Sequence, residues 1–144
     1  MAPYSIVQDP LWTQLVDAAV AVRDNAYAPY SSYLVGCALA CDDDLIVTGC
    51  NVENASYGAT ICAERNAVLH AVATGHRVFL ACVVVTQGNA PAFPCGMCRQ
   101  VLSEFAPDLP ILLVAGAGNG TRKLVRLAEI FPGSFGKDDL ARST

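Results

Sequence analysis

Histidine is almost missing from this chain. Of its 144 residues only His70 and His76 carry an imidazole, so a histidine-built metal site has little to draw on. Basic residues are also few, 9 Lys and Arg against 13 Asp and Glu for a net charge of −4. That balance excludes the positive footprint a polynucleotide backbone requires, so nucleic acid is not expected as a partner. Charged residues of both signs make up only 15% of the chain. More apolar surface is then available than one small domain readily hides, which points to an oligomer. No apolar run approaches the roughly 20 residues of a membrane-spanning helix. The longest, within Val78 to Val85, is strand length, and no membrane partner is expected. Repeats and low-complexity linkers are lacking, and Met1 to Pro10 shows no secretory leader pattern.

Small and apolar side chains are what the chain has in plenty. Hydrophobic residues reach 53%, enough for the core of a single domain spanning 1–144. The seven cysteines are an odd number, and two of them form a C-x-x-C. Without a leader, that usage fits a reducing, cytoplasmic setting and not a disulfide scaffold.

The chemistry concentrates in two stretches, Thr60-Ile61-Cys62-Ala63-Glu64-Arg65 and Pro94-Cys95-Gly96-Met97-Cys98-Arg99-Gln100. Cys62, Cys95 and Cys98 supply three thiolates for one Zn²⁺. Structural zinc sites close the tetrahedron with four protein ligands, whereas catalytic ones leave a corner for water. The histidines do not complete it. On a helix beginning at Cys62, a rise of about 1.5 Å per residue puts His70 roughly 12 Å and His76 roughly 21 Å along the axis. Cys37, Cys41, Cys50 and Cys82 sit in apolar runs, where free cysteine is usually a small buried hydrophobe. An open position beside Glu64 therefore reads as a site where a carboxylate moves protons to and from a reacting water. Both stretches fall at predicted helix starts, where unpaired N–H groups and the macrodipole favour thiolates. Three thiolates on one zinc leave a net charge of about −1. Arg65 and Arg99, close to the ligands in sequence, are candidates to donate hydrogen bonds to the sulfurs.

Around this pair of stretches the chain alternates helix and strand. Asp9-Pro10 reads as an N-cap and first-turn proline, opening a helix over 10–27 that ends before Pro29. Residues 34–41 and 45–52 read as strands joined by an Asp42-Asp43-Asp44 hairpin, which brings Cys37 and Cys50 near one another across the strands if the turn is tight. Asn51 to Ala59 is a polar loop suited to a hydroxylated substrate, with Asn51 and Glu53 able to bind ribose hydroxyls or, equally, to satisfy loop backbone. A helix over 61–74 ends at Gly75, a usual C′ residue. A strand over 77–86, a helix over 95–106 and a strand over 111–115 then form a right-handed parallel crossover. A short helix is expected within 124–131, followed by an irregular tail.

The chain resembles the small homotetrameric cytidine deaminases. The resemblance runs through Ala26-Tyr27-Ala28-Pro29-Tyr30-Ser31, Gly49-Cys50-Asn51-Val52-Glu53-Asn54, Tyr57-Gly58, the two cysteine stretches and Ser134-Phe135-Gly136. It implies an α/β fold of three layers, α/β/α, with a five-stranded mixed sheet, and hydrolysis of cytidine and deoxycytidine to the uridines with release of ammonia. By the same resemblance Cys62, Cys95 and Cys98 hold the zinc, Glu64 shuttles protons, Asn51 and Glu53 bind the ribose, and the Ala63 amide meets the pyrimidine oxygen. Tyr57 and Phe135 line pockets across subunit boundaries of a homotetramer, and Tyr33 stands where a pocket phenylalanine is common. Phe93, Met97 and Lys137 also depart from the family pattern and bear on pocket shape. Three rivals accompany this reading, a deaminase of a modified cytosine nucleoside such as blasticidin S, a polynucleotide-editing deaminase, which the acidic balance opposes, and a non-catalytic zinc-stabilised scaffold. The Asn-Val-Glu-Asn loop speaks against the first.

Overall fold

The computed structural model describes residues 10–141, so the expected Asp9 cap lies outside the described residues. Helix α1 (Pro10–Arg23) is followed by strands β1 (Gly36–Cys41) and β2 (Ile46–Cys50), helix α2 (Ala63–Ala73) and strand β3 (Phe79–Val85). Then come helix α3 (Gly96–Phe105), strands β4 (Pro110–Val114) and β5 (Arg122–Arg126), and the short helices α4 (Leu127–Ile130) and α5 (Lys137–Ala141). The strands form one mixed sheet in the order β2-β1-β3-β4-β5, in which only β3 and β4 run parallel. The α3 crossover between them is the one the sequence implied.

Both faces of the sheet are covered, which is why β1 is buried at every position. On one face Trp12, Leu15, Val16 and Ala19 of α1 pack against Ala38, Ala40, Val83, Leu112 and Val114. On the other, Ala63, Ala67, Val68 and Ala71 of α2 and Leu102 of α3 meet Cys37, Leu39, Cys82, Val84 and Leu113. Small residues on α2 let it lie close to the sheet. At Gly49 on β2 an added Cβ would stand 2.3 Å from the Ala67 nitrogen and 2.6 Å from the Ala63 oxygen, both α2 backbone. Gly49→Ala is therefore expected to push α2 outward and lower stability by about 1–3 kcal/mol, read as a fall in thermal midpoint.

Two local expectations are corrected. Helix α1 ends at Arg23, well before Pro29, because Tyr27 is captured by the loop after β2. The Tyr27 N–H donates to the Asn51 carbonyl at 3.0 Å and the Glu53 N–H to the Tyr27 carbonyl at 2.8 Å. The short helix expected within 124–131 is Leu127–Ile130, and the residues just before it form β5, paired antiparallel with β4. The tail is not wholly irregular, since Lys137–Ala141 forms α5. The Asp42 hairpin holds, with Asp43 and Asp44 at φ 60 and 57 as a tight primed turn requires. Its register places Cys37 opposite Gly49 and Cys50 opposite Gly36, so these two side chains face opposite sides of the sheet. The neighbour of Cys37 is Cys82, with Sγ atoms 3.6 Å apart.

Candidate metal centre and substrate cavity

β2 runs in the same direction as β3, since each is antiparallel to β1, so α2 and α3 both start from the same end of the sheet. Their N-termini converge there. Cys62 is the N-cap of α2 and Cys95 the N-cap of α3, each extended, and neither thiol is spent on a capping hydrogen bond. Cys98 lies on the first turn of α3 and is buried. The three sulfurs fall within 4.8 Å of one another. The Cys62–Cys95 separation is 3.8 Å and the Cys95–Cys98 separation 3.5 Å. A tetrahedron with Zn–S bonds of about 2.3 Å has edges of about 3.8 Å, so the donor set fits zinc.

Electrostatics agree with the geometry. A hydrogen bond from Cys98, together with contacts from Arg65 and Cys95, lowers the Cys62 thiol to about 5. Cys98 is pushed far up by the same bond to Cys62 and by burial. One proton is thus held between two sulfurs that cannot both ionise unaided, which is the condition a cation relieves. Arg65 Nη2 donates to Cys62 Sγ at 3.6 Å, as expected of an offsetting charge. Arg99 does not reach a sulfur. Its Nε donates to the Pro94 carbonyl at 2.8 Å and its Nη1 to the Ile130 carbonyl at 2.6 Å, so it braces the backbone before Cys95. His70 faces the Thr48 carbonyl of β2. His76 pairs with Asp42 at 3.7 Å, at the hairpin tip.

A cavity of about 320 Å³ opens onto Cys62 and Cys95 and is lined also by Asn51, Glu53, Ala63, Glu64 and Thr86. Glu64, second residue of α2, is only 5% exposed. Burial pushes its carboxyl up from the ordinary carboxylate range. A buried carboxyl raised in this way is suited to taking and returning protons. Ala63 opens α2, where backbone N–H groups lack intrahelical acceptors.

The polar loop beyond β2 is rigidly held. Asn51 Oδ1 accepts the Val35 N–H at 2.9 Å, and its Nδ2 donates to the Tyr33 carbonyl at 2.8 Å. Glu53 Oε1 accepts the N–H groups of Tyr30 and Ser31 at 2.9 and 3.1 Å, and Oε2 accepts the Ser31 hydroxyl. The Ser31 hydroxyl is the main reason the Glu53 carboxyl lies below the usual range. Both residues thus satisfy loop backbone and also line the cavity. Each retains acceptor capacity for a ligand. Tyr33 and Phe93 belong to the cavity wall, and the Lys123 ammonium lies 5.3 Å from the Phe93 ring centroid. Tyr57 does not line this cavity. It is 76% exposed, packs edge-on against Tyr30 and borders an adjoining recess with Glu53. Phe135 is 58% exposed and outside the cavity, its carbonyl held by Gln100 Nε2 at 2.9 Å. Sequence reasoning missed Ser31 and Thr86. Thr86 is signalled only as a hydroxyl ending an apolar run, and its buried Oγ1 has no partner among the described residues.

With this geometry in hand, comparison with known proteins is direct. The family model described as "Cytidine and deoxycytidylate deaminase zinc-binding region" matches residues 12–113. A cytidine deaminase of Sporosarcina psychrophila is 42% identical over 129 residues, covering 89% of this chain and 93% of the relative. A crystal structure of cytidine deaminase from Burkholderia pseudomallei superposes with a TM-score of 0.81 at 43% identity, covering 85% of this chain and 98% of that one. A blasticidin-S deaminase of Bacillus cereus is more distant, 28% identical over 92% of this chain and 96% of its own.

Proposed function

This chain belongs to the cytidine and deoxycytidylate deaminase zinc-binding family, and from that premise we propose that it hydrolyses cytidine and deoxycytidine to uridine and deoxyuridine. The observation that carries the reading is a cluster of three sulfurs, two of which, Cys62 and Cys95, line one cavity together with the buried Glu64. Cys62, Cys95 and Cys98 hold the zinc. When bound, zinc supplies the Lewis acidity that makes water nucleophilic near neutral pH.

The chain's own residues do the rest. Ala63 N–H donates to the pyrimidine 2-oxygen and holds the ring with C4 toward Glu64. As the water oxygen bonds to C4, Glu64 takes one water proton and delivers it to N3. The second water proton then passes through Glu64 to the amino group. The C4–N bond breaks, ammonia departs and the C4 carbonyl forms. A non-ligand glutamate shuttling protons in this way is the general arrangement of zinc nucleobase deaminases. Asn51 and Glu53 bind the sugar hydroxyls with the acceptor capacity the loop leaves them.

The same lining argues for nucleosides over nucleotides. Two carboxylates, Glu53 and Glu64, face the cavity, and none of its lining residues is a lysine or arginine to meet a 5′-phosphate. Ammonia release from cytidine, deoxycytidine, deoxycytidine 5′-monophosphate and blasticidin S tests the reading. Turnover of the two nucleosides alone is expected, and turnover confined to blasticidin S or the monophosphate overturns it. Release of uridine and deoxyuridine suits a role in pyrimidine salvage, and seven free cysteines suit the reducing cytoplasm. The exposed Tyr57 and Phe135 fit the assembly in which they complete neighbouring subunits' pockets, a homotetramer. Light scattering of active protein at the monomer mass would refute that assembly.

A further inference from the structure

Gln87 leaves the end of β3 and plays no part in the chemistry described so far, yet it makes three hydrogen bonds to other parts of the chain. Its Oε1 accepts Arg23 Nη2 at 3.0 Å and the Leu34 N–H at 3.2 Å, and its Nε2 donates to the Ser32 carbonyl at 3.1 Å. Arg23, the last residue of α1, adds a bond from Nε to the Leu34 carbonyl at 2.9 Å. The two side chains therefore grip residues 32–34 from both sides. That segment needs gripping, because Ser32 holds a left-handed φ of 58 that a non-glycine residue adopts only at a cost. Immediately before it, Ser31 accepts the Tyr33 N–H at 3.0 Å and, with Tyr30, supplies the hydrogen bonds that the Glu53 carboxylate accepts among the described residues.

From this chain of contacts we propose that Gln87 is a positioning residue for the substrate sugar, clamping residues 32–34 so that Ser31 holds Glu53 in its binding orientation. The proposal rests on the reading that Glu53 meets the sugar hydroxyls. It assigns Gln87 no contact with substrate and no role at C4. A loosened clamp therefore weakens binding and leaves chemistry alone.

The test compares wild type, Gln87→Ala and Gln87→Glu on cytidine and on 2′,3′-dideoxycytidine, which keeps the 5′ hydroxyl but lacks the 2′ and 3′ hydroxyls, the ones Glu53 is proposed to meet. Gln87→Ala is expected to raise KM for cytidine about five- to ten-fold, the loss of roughly one net hydrogen bond, while kcat changes less than about two-fold. For the dideoxy nucleoside KM is expected to change little. Gln87→Glu keeps both acceptor bonds but turns a carboxylate oxygen toward the Ser32 carbonyl where the amide had donated, so its KM for cytidine is also expected to rise. In a Glu53→Gln background Gln87→Ala is expected to add less than about two-fold, because the two residues act in series. A fall in kcat at unchanged KM, an equal KM rise for the dideoxy nucleoside, or Gln87→Ala kinetics matching wild type overturns the proposal. Failure of the parent reading looks different, since Glu53→Gln alone would then leave the KM of the wild-type chain for cytidine unchanged.

Discussion

Glu64→Gln is expected to lower kcat on cytidine by about 10²–10⁴-fold or more while zinc stays at one per chain. The amide keeps the volume of the carboxyl at a position only 5% exposed, so packing against the sheet survives. What is lost is the buried carboxylate two residues from Cys62 that is proposed to take a water proton and return it to the ring and the leaving amine. Stability is expected to move the other way. Burial raises the Glu64 carboxyl, so the folded state binds a proton more readily than the unfolded one. The ionised form then costs stability as pH rises through the folded value. Gln at this position removes that cost, and the thermal midpoint of metal-free protein at neutral pH is expected to hold or rise. A variant keeping a tenth or more of wild-type activity would remove Glu64 from the mechanism.

Withdrawing zinc with a chelator is expected to abolish deamination, and adding zinc back to restore it. Cys98→Ala is expected to abolish it with no restoration. The ligands come from two helix starts separated by more than 30 residues of chain, so the metal also ties α2 to α3. Its loss is expected to lower the thermal midpoint as well, since binding energy at such a site is folding energy. Proton counting gives a finer check. Because Cys62 is lowered to about 5, it is already ionised at pH 7, and reloading zinc there is expected to release fewer than three protons per chain. Active protein without metal would refute the centre outright.

The parts of this site legible in the sequence are those whose chemistry is local. Cys62 and Cys95 announce themselves by falling at helix starts, and Glu64 by standing two residues from the first. The β3-α3-β4 crossover was equally readable, because continuous apolar runs around an amphipathic segment admit few other arrangements. Elsewhere long-range pairing prevailed over local pattern. No strand is read at Arg122–Arg126 from the residues alone, and the stretch becomes one because β4 offers it a ladder. The α1 helix stops early because Tyr27 finds backbone partners more than 20 residues away, at Asn51 and Glu53. Arg99 resembles a sulfur donor by proximity in sequence, yet the turn before α3 and the Ile130 carbonyl claim it first. Gln87 carries no local signal at all, since its partners lie 53 to 64 residues away.

The chain holds a single tryptophan, and it is buried in the layer where α1 covers the sheet, on the side away from Ala63 and Leu102. Its emission is thus a built-in gauge of that distant layer. Heating or denaturant will shift the signal as the α1 core opens, whereas nucleoside entering beside the sulfurs leaves it steady. A fluorescence change on adding cytidine would mean that the two layers communicate mechanically through the strands between them.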